Sequence, residues 1–180
     1  MKGVVGILPL VVALIVVGTG AAPAPKPTAV IAGLGVQTDV DGRYYSVYSP
    51  YSIKSAWHGA GFQDTNGQGD RFTSGQRHID ILSFENTKHY NTPSLVEAAQ
   101  SALQQSGFKP TASTVIHIKS ERVPVLVFSN KDGAYAELVF VLANRAWVMA
   151  LISDKSNARH DLDEFLRAVT TFRLEHTTVK

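Results

Sequence analysis

Val123 to Ser153 reads VPVLVFSNKDGAYAELVFVLANRAWVMALIS, three apolar runs separated by two short polar breaks. The breaks, Asn130-Lys131-Asp132-Gly133 and Asn144-Arg145, contain residues that tolerate the positive φ of tight hairpins. The runs are rich in Val, Ile, Leu, Phe, Tyr and Trp, so the stretch predicts an antiparallel meander. Side chains alternate along a strand, and parity therefore sorts them. With both turns holding an even register, Val125, Val127, Ala136, Leu138, Phe140, Leu142, Trp147, Met149 and Leu151 share one face. Leu126, Phe128, Tyr135, Val139, Val141, Val148, Ala150 and Ile152 share the other. An antiparallel sheet with one wet face would alternate apolar with polar, so two apolar faces call for a cover on each side. Glu137 interrupts the pattern and is expected at a strand end or beneath a polar rim, as a structural rather than catalytic carboxylate.

The rest of the chain supplies the covers. Thr92-Pro93-Ser94 opens a helix, with Thr92 or Ser94 as cap, Glu97 as the capping-box partner of Ser94, and Gly107 at the C′ position. Leu95, Ala98, Ala99, Ala102 and Leu103 give that helix a narrow apolar face. A second helix follows Asp154-Lys155-Ser156-Asn157, with Leu162, Phe165, Leu166 and Val169 on its apolar side and Asp161, Asp163, Glu164 and Arg167 expected on its polar side. Upstream, Arg43 to Ser49 and Ile53 to Trp57 read as two short strands forming a hairpin across Pro50-Tyr51. Arg77 to Glu85 and Thr114 to Lys119 read as further strands. Between them, His58 to Gly75 is rich in Gly, Asn, Gln, Asp and Thr, and is expected to be a long functional loop. No βαβ alternation is present, so the fold class is α+β: an antiparallel sheet of about six or seven strands with helices on both faces, an αβα sandwich.

At 180 residues, with 44% hydrophobic and 18% charged residues, the chain has enough apolar material for one ordinary core. A net charge of +2 with no basic cluster argues against a dedicated nucleic-acid footprint. There is no cysteine, which excludes disulfides, thiolate metal sites, a cysteine nucleophile and an acylated lipoprotein cysteine. Residues 1–21 combine basic Met1-Lys2, an apolar span from Gly3 to Gly18, and small residues ending at Ala21. This is a signal peptide cut after Ala21 or, if uncut, an N-terminal anchor. The span falls short of the roughly twenty residues a bilayer crossing wants, which favours cleavage. Residues 22–41 form a Pro-rich tether and a weakly patterned segment, 42–174 one domain, and 175–180 a tail.

Several stretches resemble one known family. They are Tyr45-Ser46-Val47-Tyr48-Ser49-Pro50, a strand ending near Glu85, Ser94-Leu95-Val96-Glu97, the meander, and a final Phe165-Leu166 through Val169 to Phe172. In element order and apolar pattern these are similar to the PsbP-like superfamily, including the DcrB and LpqN envelope proteins, over about residues 42 to 174. The resemblance implies a PsbP-like αβα sandwich and a non-enzymatic accessory or binding role, often periplasmic or at a membrane surface. The chain lacks the acylated cysteine of the lipoprotein members, and no motif assigns it a photosynthetic role.

Candidate chemistry is sparse. His78 and Asp80 project from one face of a strand and are the candidate metal pair, but the sequence nominates no further ligand, so solvated polar residues are the plainer reading. Ser74 beside them lacks a nucleophile elbow, and Gly67-Gln68-Gly69 lacks the lysine of a phosphate loop. His117, amid Val115, Ile116 and Ile118, is expected to be structural. Trp57, His58, Phe62, Arg71 and Phe72 flank the polar segment and are the binding candidates, against the simpler role of burying the base of that loop. No cofactor is called for. The sequence points to a non-enzymatic exported accessory or binding protein of the cell envelope, periplasmic or extracellular, with a protein partner or small ligand. Residues 3–18 offer membrane contact. The alternatives are an envelope metalloprotein or hydrolase using His78 and Asp80, and a membrane-anchored structural subunit.

Overall fold

The computed structural model describes residues 35–37, 42–46, 48–64, 67–131 and 133–175. The expected signal or anchor, the Pro-rich tether, most of the weakly patterned segment and the tail beyond Glu175 lie outside the described residues. The elements in chain order are β1 (Gly35–Gln37), β2 (Arg43–Ser46), β3 (Tyr51–Lys54), β4 (His58–Asp64), β5 (Gly67–Ser74) and β6 (Arg77–Glu85). They continue with α1 (Thr92–Gln105), β7 (Lys109–Ile118), β8 (Glu121–Ser129), β9 (Gly133–Leu142), β10 (Arg145–Asp154), α2 (Ala158–Thr170) and β11 (Arg173–Leu174). Seven strands form one antiparallel sheet in the order β4-β5-β6-β10-β9-β8-β7, and a four-stranded sheet runs β1-β2-β3-β11.

The meander keeps the expected register. Val127 faces Ala136, and Val148 faces Val139, so the two parity sets stay on opposite faces. Leu142 pairs with Arg145, and the turn between them is Ala143-Asn144, both at positive φ, one residue earlier than the Asn144-Arg145 the sequence suggests. At the other turn Asn130 accepts a hydrogen bond on its side-chain oxygen from the Gly133 amide at 2.9 Å. A side chain at Gly133 would drive a Cβ into the Ser153 carbonyl oxygen, so strand β10 passes too close for anything larger.

Each face has its own core. One cluster joins Leu95, Ala99, Ala102 and Leu103 of α1 to Leu126, Phe128, Tyr135, Val139, Val148 and Ala150. The other joins Phe165, Ala168 and Val169 of α2 to Val125, Ala136, Leu138, Phe140, Trp147, Met149 and Leu151. Helix α2 does not cover its side alone. Tyr44, Tyr51 and Ile53 of the small sheet enter the same cluster, and Trp147 packs against Tyr51 and Phe172 with ring centroids 5.7 and 5.1 Å apart.

Three local expectations are corrected. His58 to Gly75 is a β-hairpin, not a long loop: β4 pairs with β5 from His58↔Thr73 to Asp64↔Gly67. Gly59 and Gly69 belong to strands because packing there excludes a side chain. A Cβ at Gly59 would meet the Phe72 ring at 2.5 Å, and one at Gly69 would meet the Ile81 carbonyl oxygen at 2.5 Å. Helix α1 is capped by Asn91, whose side chain accepts from the Ser94 amide at 2.9 Å while the Ser94 hydroxyl takes the Asn91 amide, so Glu97 has no part in the box. Finally, Asp161 is on the buried side of α2, not the polar side, because it meets Arg77 and Ser153 across the interface.

Candidate functional site on the α1 face of the large sheet

One row of paired residues crosses this face from Ala60 through Arg71, Asp80, Ala150, Glu137 and Leu126 to Ser113. It carries Arg71, Asp80 and Glu137, three of the polar groups that the sequence singles out. Arg71 grips Asp80 in a two-pronged ion pair, Nε to Oδ1 at 2.6 Å and Nη2 to Oδ2 at 2.7 Å. The same guanidinium lies 4.9 Å from the Phe62 ring centroid. His78 Nε2 stands 3.7 Å from Asp80 Oδ2. Burial holds His78 below the usual histidine range, partly offset by Asp80, so the imidazole is an unprotonated neighbour. His78 and Asp80 are thus brought together, but Arg71 engages both carboxylate oxygens. Among the described residues no group of three or more His, Cys, Asp or Glu side chains is placed to hold a metal ion.

Two polar groups on this face lack partners. Among the described residues neither carboxylate oxygen of Glu137 nor the Tyr135 hydroxyl has a hydrogen bond, and both side chains are buried. Desolvation pushes the Glu137 carboxyl up from an ordinary 4.5 to about 8. The nearby Tyr135 hydroxyl favours the charged form but does not meet hydrogen-bond geometry. Desolvation, with the Glu137 carboxylate second, raises the Tyr135 phenol well above its usual range. Glu137 is therefore neither at a strand end nor under a polar rim: it is in mid-strand beneath α1, protonated at neutral pH. The other buried carboxylates are satisfied. Asp70 accepts the hydroxyls of Tyr44 and Tyr51, each at 2.6 Å, and Asp161 accepts Arg77 Nη1 at 2.8 Å and the Ser153 hydroxyl at 2.5 Å.

The binding candidates are divided by the sheet. Phe62 and Arg71 share the α1 face with His78 and Asp80, whereas Trp57 and Phe72 are buried in the opposite core, where the Arg77 guanidinium lies 5.7 Å from the Trp57 ring centroid. His58 is exposed at the start of β4, and His117 is exposed on β7. The five residues do not line one surface. Sequence reasoning missed a different feature: a groove of about 510 Å³ between α1 and the β7–β8 end of the sheet. Val96 and Gln100 form one wall, Thr111 and Ser113 the other, and Leu126 and Phe128 the floor; among the described residues no charged side chain lines it. The floor residues are the cross-strand partners of Glu137 and Tyr135. The signal was present in Pro110 to Ile116, an uncharged, β-prone run.

The architecture matches a solved structure. The solution structure of cyanobacterial PsbP (CyanoP) from Synechocystis sp. PCC 6803 superposes with a TM-score of 0.54, covering 82% of this chain and 99% of that one at 10% identity. The chain has the PsbP-like fold. A crystal structure from Bacteroides thetaiotaomicron VPI-5482 matches at a TM-score of 0.43 and 14% identity, over 73% of this chain and 47% of that one. No protein-family model and no curated protein sequence matches. The PsbP-like likeness agrees with the family resemblance of the sequence and extends to the fold.

Proposed function

We propose that this protein is a non-enzymatic accessory module of the cell envelope that works by binding a partner on the α1 face of its large sheet. The observation that carries the reading is the open, uncharged groove between α1 and β7–β8, a concave surface of the size that binding sites occupy. The reactive side chains nearby are engaged in structure: Arg71 closes on Asp80, and Glu137 lies sealed beneath the helix. The PsbP-like fold, through its family resemblance, supports an accessory role, and Met1 to Ala21 supports export.

Site-specific photo-crosslinking in a bacterial envelope tests this. Crosslinkers at Gln100 and Ser113, which are exposed at the groove, should trap the same protein. One at Arg159, exposed on α2, should not. Equal labelling from all three positions would contradict the reading. Intact mass of the exported protein reads the N-terminus at the same time, since a chain beginning at Ala22 has lost its anchor.

A further inference from the structure

Strand β7, which bounds the groove, is an edge strand, paired among the described residues with β8 alone. From Lys109 to Val115 every residue is exposed. An edge of this kind presents unpaired amide and carbonyl groups, and sheets usually guard it with charges, proline or bulges. Pro110 and the register shift between Pro110 and Ala112 guard one end of β7. Thr111 to Ile116 carries no such guard, and its Thr, Val and Ile residues favour extended structure. Val115, 46% exposed, belongs to that run. It pairs with Pro124, whose neighbour on the same face is the groove-floor residue Leu126, so edge and groove are continuous.

We propose, resting on the binding reading above, that the β7 edge and the adjoining groove accept an extended segment of a partner protein as a further strand of the sheet. The segment carries large apolar side chains at alternate positions and acidic residues at its ends. The open edge supplies the backbone ladder, and the uncharged groove receives every second side chain. Exposed Lys109 lies at one end of the strand, and exposed Lys119 and Arg122, partly offset by Glu121, lie at the other. None of these basic residues makes an ion pair among the described residues. Acidic flanks complement that charge.

A second copy of this chain fits less well. On the groove side its β7 would present Ser113, Val115 and His117, too small to fill about 510 Å³, and antiparallel pairing would bring Lys109 toward Lys119 of the other copy.

The test uses the full chain and a display library of ten-residue peptides. Selected peptides should alternate large apolar with other residues and end in Asp or Glu. The tightest is then synthesised with N-methyl groups on alternate amides in the two possible phases. One phase should abolish binding and the other leave it nearly unchanged, because only one edge of an added strand faces β7. Val115→Lys, a charge placed on an exposed edge position, should weaken binding by about tenfold or more without lowering thermal stability. Selection without alternation, equal effects of both methylation phases, or full affinity in the Val115→Lys protein overturns the proposal. A dimer in sedimentation that Val115→Lys dissolves would also overturn it, naming a second copy as the occupant. If crosslinking at Gln100 and Ser113 succeeds while the peptide test fails, the binding function stands and the strand-addition mode falls.

Discussion

Replacing Glu137 with glutamine should remove a pH-dependent loss of stability that the native protein carries. The carboxyl is fully buried with no hydrogen-bond partner among the described residues, and its folded-state pKa is raised from 4.5 to about 8. Below pH 4.5 it is protonated in both the folded and unfolded chain, and contributes no difference. Between pH 4.5 and 8 the unfolded chain releases the proton while the folded protein keeps it, so stability falls as pH rises. At about 1.4 kcal/mol per pH unit between these values, the loss reaches about 3 kcal/mol at pH 7 and about 5 kcal/mol above pH 8. A glutamine side chain cannot ionise. Its amide hydrogens bring a burial cost that does not vary with pH, so the informative quantity is the change in the difference between the two proteins. Urea denaturation from pH 4.5 to 9 measures it. The variant should gain about 5 kcal/mol relative to the native protein across that range. Parallel stability profiles would refute the burial argument, since they would mean that the carboxyl is solvated or paired.

Three further substitutions probe the frame. Asp161→Asn should cost about 3 kcal/mol in urea denaturation by leaving Arg77 without its buried counter-ion, whereas Asp163→Asn on the exposed side of α2 should cost less than about 0.5 kcal/mol. Asn91→Ala should lower stability by about 1 kcal/mol through loss of the α1 cap, and Glu97→Ala should leave it unchanged within about 0.5 kcal/mol, the reverse of what a Ser94–Glu97 box requires. Gly133→Ala should cost about 1 to 3 kcal/mol by thermal or urea unfolding, because its Cβ must displace the Ser153 carbonyl.

The sequence made the meander legible because side-chain parity is a strong constraint. The residues sorted by alternation lie on the faces assigned to them, since shifting any strand by one position would turn its apolar set outward. Both helices were legible for a similar reason: their apolar stripes must meet those faces. The β4–β5 hairpin was hidden by its composition. Gly59 and Gly69 look like loop residues, although they sit in strands because Phe72 and the Ile81 backbone approach closely. The better signal in the sequence was the dipeptide Asn66-Gly67, a composition typical of hairpin turns. Asp161 was misplaced because helical position alone does not reveal an arginine arriving from β6. For the same reason the pairing of Arg71 with Asp80 was not legible, whereas His78 and Asp80 sharing a face followed from strand parity. The groove needed the angle and position of α1 over β7–β8, which local sequence does not encode.

Strand addition requires an open β7 edge, and amide hydrogen exchange on the full chain reads that edge directly. Alternate amides between Thr111 and Ile116 should exchange orders of magnitude faster than those of β9 and β10 in the centre of the sheet, and should become protected when the selected peptide is added. Slow exchange at every position of β7 in the free protein would contradict the account, because it would mean that the edge is already covered.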